Sequence, residues 1–177
     1  GFLVNTLGKW KLRKLFEANK RIPQAINLES IESAVLVFDI TTNKDYDEIS
    51  GFATYLRRNE GLNSVKMIAY YSEKEIPSFV DEKTVLVFGK NECNAFGIPN
   101  QVEFDFKTPF DLLVDFTSDS FVPTNYFLGQ INAKTFVGKG GSEKEEWFDL
   151  IIDIPNNSGL SIYKENILRY LKMINKA

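Results

Sequence analysis

Apolar and polar positions along this chain alternate between short strand-like runs and longer helical ones. The central run is Phe110-Asp-Leu-Leu-Val-Asp-Phe116, echoed by Phe148-Asp-Leu-Ile-Ile-Asp-Ile154. A short apolar run with polar ends is the pattern of a strand covered on both faces. Ala34 to Ile40, Val65 to Tyr71 and Thr84 to Phe88 read the same way, and Lys134 to Val137 gives a shorter strand. Val102-Glu-Phe-Asp-Phe106 alternates strictly and predicts a short edge strand. Between the first two strands, Ile49, Phe52, Ala53 and Leu56 recur at helical spacing within Tyr46 to Glu60, and Gly61 supplies a stop. Further helices are expected over residues 1–22, ended by Pro23, and over Pro123 to Ala133. A last one is expected over residues 159–175, where Leu160, Tyr163, Ile167, Leu171 and Ile174 keep one face.

A strand–helix–strand unit makes parallel neighbours. Only Gly138 to Trp147 separate the last two strands, too few for a crossover helix, so that pair is expected to be antiparallel. The fold class is therefore α/β. A three-layer domain is expected, with a mixed, mostly parallel sheet of about six strands and helices on both faces. Residues 1–22 form a basic helix, an arm or a docked element, and residues 34–177 a single α/β domain. The repeated Phe-Asp-Leu is no duplication, because the flanking sequences differ and buried strands share composition for physical reasons.

Charge sharpens this picture at one place. The whole chain carries a net charge of −3, which argues against a general nucleic-acid binder. The first helix is the exception, with Lys9, Lys11, Arg13, Lys14, Lys20 and Arg21 against Glu17 alone. Lys9, Arg13 and Lys20 share one face at helical spacing. That face is either the solvated side of a docked helix or a contact arm for RNA, anionic lipid or an acidic partner. No run reaches the roughly 18 apolar residues of a membrane span. Gly1 to Thr6 lack the pattern of a secretory signal. Cys93 is the single cysteine, so no internal disulfide can form, and the reading is cytoplasmic.

The most informative absence is histidine, of which there is none. Ser-His-Asp and Cys-His nucleophiles and His-ligated metals are thereby excluded. What remains are carboxylates, lysine, tyrosine, backbone amides or a hard cation. Asp39, Asp115 and Asp153 each end a strand, and ligands of parallel sheets bind beyond the carboxyl ends of strands. Asp39, Thr41, Asp115 and Ser118 are thus the candidate ligand-binding residues. The two acids would hold Mg²⁺ or act as bases if they converged; the bland alternative is that they cap loops and helix starts. An antiparallel last strand would carry Asp153 to the opposite edge. Gly138-Lys-Gly-Gly-Ser142 matches neither phosphate-loop spacing and reads as a flexible connection, with a solvated Lys-Glu-Glu stretch beside it. Cys93 has no histidine to activate it and reads as packing or surface. Trp10 and Trp147 read as core or docking anchors.

Asn94-Ala-Phe-Gly-Ile-Pro99, Phe110 to Phe116, Asn132-Ala-Lys-Thr-Phe-Val-Gly138 and Phe148 to Asp153 together resemble a family of small uncharacterised bacterial cytoplasmic proteins, a domain of unknown function. The basic N-terminal helix is similar as well. The resemblance implies the fold and a bacterial cytoplasmic setting, and it brings no catalytic residues. Three functions follow in order of expectation. The first is a non-enzymatic binding or adaptor protein using the basic helix for contact. The alternative is a Mg²⁺-dependent or carboxylate-based enzyme acting on a phosphorylated or nucleotide-like small molecule. The third is binding of RNA or a ribosomal surface through Lys9, Arg13 and Lys20.

Overall fold

A computed structural model of the chain describes residues 2–19, 21–117, 123–155 and 157–176. Among them, six strands form one sheet: β1 (Ser33–Asp39), β2 (Ser64–Tyr71), β3 (Val85–Gly89), β4 (Phe110–Asp115), β5 (Ala133–Lys139) and β6 (Leu150–Ile152). Their order is β3-β2-β1-β4-β5-β6. The helices are α1 (Phe2–Ala18), α2 (Asn43–Arg58), α3 (Asn125–Gln130) and α4 (Leu160–Met173). Ala34, Leu36 and Phe38 of β1 pack with Phe52 and Leu56 of α2 and with Tyr163 and Ile167 of α4. Val35 and Val37 point the other way, toward Phe127 and Leu128 of α3 and the ring of Phe16 in α1. The sheet is thus covered on both faces, which is why β1 reads as one unbroken apolar run. Burying each such Val, Leu or Phe contributes about 1.5–3 kcal/mol.

Every neighbouring pair of strands is parallel, including β5 and β6. The antiparallel pair expected at the end of the sheet is therefore corrected. The register gives the reason. Leu150, Ile151 and Ile152 pair with Val137, Gly138 and Lys139, the last three residues of β5. The chain need only retreat by the rise of two or three residues, about 7–10 Å, not by a full strand. A 3-10 turn at Glu145–Trp147 makes that retreat without a crossover helix. The segment expected as a strand over 148–154 accordingly pairs over Leu150–Ile152 alone, at the sheet edge, with Ile151 exposed.

Val102 to Phe106 is not a strand, another correction. Its alternation is real, but it serves packing instead of pairing. Val102, Phe104 and Phe106 turn inward, and the rings of Phe104 and Phe106 meet Phe127 at 5.9 and 5.8 Å. Helix α1 shows a similar division. Gly8 and Leu12 are buried, whereas Leu3, Leu7 and Trp10 face outward. The apolar positions of that helix spread widely because they serve two sides. Gly129 of α3 lets the helices approach closely, since a Cβ there would lie 3.1 Å from the Phe16 amide nitrogen.

Two aspartates pin the amino ends of the strands they precede or begin. The Asp111 carboxylate accepts the amide of Glu32 at 2.8 Å, just before β1. The Asp149 carboxylate accepts the amide of Phe136 at 2.8 Å and binds the Arg21 guanidinium at 2.8 and 3.1 Å. Arg21 also lies 3.9 Å over the Phe136 ring. Gly138 seats the other side of this corner, because a Cβ on it would overlap the Phe148 ring. Gly138→Ala should displace that ring, loosen β6 and lower stability by about 1–3 kcal/mol, read as a lower urea midpoint. An unchanged midpoint would contradict this packing.

Candidate functional site

The strand order reverses direction between β1 and β4, and both strands end in an aspartate at that point. Asp115 pairs in register with Val37. Asp39 therefore stands two residues farther along the adjacent strand, on the same face of the sheet. α3 covers that face, so both carboxyls meet the loop leading into α3 and the connection between β5 and β6.

Asp115 is 2% exposed and its partner Lys144 is 4% exposed. Lys144 Nζ donates to Asp115 Oδ2 at 2.7 Å, to Thr117 Oγ1 at 2.6 Å and to Asn125 Oδ1 at 3.2 Å. An ammonium has three protons, and all three are used. Asp115 Oδ1 in turn accepts the amide and hydroxyl of Thr117 at 2.9 and 2.6 Å. The Tyr163 hydroxyl of α4 donates to the Asp115 carbonyl at 2.7 Å. Among the described residues, no buried side-chain nitrogen or oxygen lacks a partner. The cluster is a closed polar knot joining β4, α3, α4 and the β5–β6 connection.

This donor set does not suit Mg²⁺. Asp115 is committed to an ammonium, and a metal would have to expel it. Among the described residues, no group of three or more acidic, histidine or cysteine side chains is placed to hold a metal ion.

Asp39 accepts a hydrogen bond from the Thr124 hydroxyl at 3.3 Å. Burial, and then the negative charge of Asp115, push its pKa up from 3.8 to about 6, against the Thr124 bond and Lys144. Thr41 is exposed and donates to the Asp45 carboxylate at 2.9 Å, at the start of α2. Thr42 caps that helix by accepting the Asp45 amide. Lys9 pairs with Glu143 at 3.4 Å, and Arg13 with Glu146 at 3.2 Å and with Glu17 at 3.6 Å. Ser118 and Lys20 lie outside the described residues. With β6 parallel, Asp153 shares the carboxyl edge with Asp39 and Asp115, but β5 stands between it and Asp115.

A cleft of about 770 Å³ opens beside the knot, between α1 and the β5–β6 connection. Trp10, Trp147, Lys9, Arg13, Glu143 and Glu146 line it, with Asn125 and Lys144 of the knot among its buried lining residues. A second cleft, of about 1030 Å³, lies at the ends of β2 and β3, toward the sheet's outer edge. Two of its polar groups are held locally: Glu92 accepts the Gly89 amide at 3.0 Å, and the Cys93 thiol donates to the Gly89 carbonyl at 3.5 Å. Burial, with Glu92 nearby, pushes that thiol up to about 11, so it is not a nucleophile at neutral pH.

Lys144, Thr117, Thr124 and Asn125 escaped the reading of the sequence. Lys144 sits among Ser142, Glu143, Glu145 and Glu146, and composition alone makes such a stretch look solvated. The usable signal was that a strand-end aspartate destined for burial needs a cation.

The Asp39 shift has a definite sign. A carboxyl whose folded pKa is raised supports the folded state while protonated and loses that support as pH rises from about 4 to about 6. Asp39→Asn keeps an acceptor for Thr124 and removes the cost of the ionised form. The variant should exceed the parent in stability by about 1–3 kcal/mol at pH 7–8 and show no such gain at pH 4, in urea titrations across pH. A gain that does not change with pH would contradict the shift.

No curated protein and no solved structure matches the chain. A family match covers residues 5–174. On that match, the chain belongs to the Family of unknown function (DUF6913).

Proposed function

We propose that the chain is a small-molecule-binding domain whose ligand occupies the cleft between α1 and the β5–β6 connection. One observation carries this reading: an aromatic-walled cleft of about 770 Å³ lies at the carboxyl edge, beside the point where the strand order reverses. Small molecules bind α/β sheets at such points, in clefts of roughly 300–1,000 Å³. The role is binding and not catalysis. Each of the six charged lining residues already has a partner within the chain: Lys9 with Glu143, Arg13 with Glu146, Lys144 with Asp115, and Glu145 with the Gly141 amide. Asp39, the carboxyl with the raised pKa, does not line the cleft.

The setting proposed is the bacterial cytoplasm, following the resemblance to bacterial proteins and in keeping with a lone, free thiol. No helix among the described residues is long and apolar enough to cross a membrane.

A second reading keeps α1 as a contact element for a protein partner. Lys9 and Arg13 are engaged within the chain, so contact would fall to the outward row Leu3, Leu7 and Trp10. Under that reading Leu7→Lys abolishes capture of a partner and leaves the fold intact. Retained capture ends it.

The cleft is tested by screening small molecules for a rise in melting temperature and repeating each success on Trp10→Ala, a change at an exposed side chain. A ligand at 100 times its Kd adds about 2.7 kcal/mol of stability. At least one stabilising compound is expected to lose its effect in the variant. Compounds that stabilise both proteins equally would place binding elsewhere.

A further inference from the structure

We infer that the ligand of this cleft is a planar aromatic or heteroaromatic molecule without a phosphate group, an inference that rests on the cleft being the binding site. The chain has two tryptophans, and both line this one cleft. Trp147 is backed by Phe16, the rings lying 4.8 Å apart and 20° from parallel, which fixes the indole in place. Trp10 is 56% exposed, a large apolar ring held at the surface beside the opening. Fixed indole surface is suited to stacking on another flat ring.

Charge argues against a phosphate. The lining carries Lys9, Arg13 and Lys144 against Glu143, Glu145 and Glu146, an even balance. Lys144 is fully spent on the knot. Lys9 and Arg13 are held by the two glutamates that a phosphate would have to displace and then face. A neutral or zwitterionic ring meets no such opposition. Both pairs are largely exposed and cost little to separate for any ligand, so the discrimination lies in the freed glutamate charges, which repel a phosphate and not a neutral ring. The second cleft, at β2 and β3, has no indole in its lining.

Two tryptophans mean two indole N–H resonances, both reporting on the cleft. The experiment titrates the ¹⁵N-labelled protein with equal numbers of planar heteroaromatic compounds lacking phosphate, adenosine among them, and of aliphatic polyols and sugar phosphates. Adenosine is compared with adenosine monophosphate at low and high salt. The aromatic set should shift both indole signals, adenosine should bind at least as well as its phosphate, and salt should have little effect. Trp10→Ala should weaken binding about tenfold or more. Responses confined to the phosphates or polyols, or a phosphate preference that collapses with salt, would overturn the aromatic inference while leaving the cleft as a binding site. A screen in which neither indole responds to any compound overturns the cleft reading and this inference together.

Discussion

A buried ammonium paired with a buried carboxylate holds the carboxyl edge of this sheet together. Taking Lys144 and Asp115 out of water costs several kcal/mol for each ion, and their attraction offsets that only if the remaining protons and lone pairs are also satisfied. Here they are. Thr117 bridges the two charges, Asn125 takes the third lysine proton, and Tyr163 reaches across from α4 to the Asp115 carbonyl. Four parts of the chain that share no local sequence are thereby obliged to meet at one point. Asp39 is raised first by its burial and then by the negative charge of Asp115, which Lys144 offsets only in part.

The knot also explains the path of the β5–β6 connection. Lys144 must reach the end of β4 while Trp147 and Phe148 pack onto the α1 side of the sheet. A long crossover helix would satisfy neither requirement. A short loop can, provided β6 pairs only with the last residues of β5, as it does. The cleft is the space this loop leaves against α1, and the Lys9–Glu143 and Arg13–Glu146 pairs link its two sides. Fold, ion pair and cleft are consequences of one placement.

Much of the scaffold was legible in the sequence. β1 and β4 are covered on both faces and must be apolar at their centres, and β2 departs from that only at exposed Lys66, so their runs could hardly be read otherwise. α2 and α4 each bury one face, and their spacing shows it. The site was only half legible. Asp39 and Asp115 could be placed at the carboxyl edge from strand ends alone. Their surroundings could not, because Lys144 lies 29 residues from Asp115 in a stretch whose composition suits solvent. Val102 to Phe106 misled for the opposite reason. Alternation reports which side chains are buried and not whether the backbone is paired, and here Phe104 and Phe106 join an aromatic cluster without joining the sheet. The echo of Phe-Asp-Leu gained a meaning: Asp111 and Asp149 each use the carboxylate to hold a neighbouring backbone amide.

The most direct measurement is a double-mutant cycle on the buried pair, read as unfolding free energy in urea. Lys144→Met and Asp115→Asn should each cost about 3–5 kcal/mol, because each leaves a buried partner without its complement. The double variant should be no less stable than the worse single one, which corresponds to a coupling of about 3 kcal/mol or more. Losses that add to within about 0.5 kcal/mol would mean that the two groups act independently, and the knot would then not be what organises this edge.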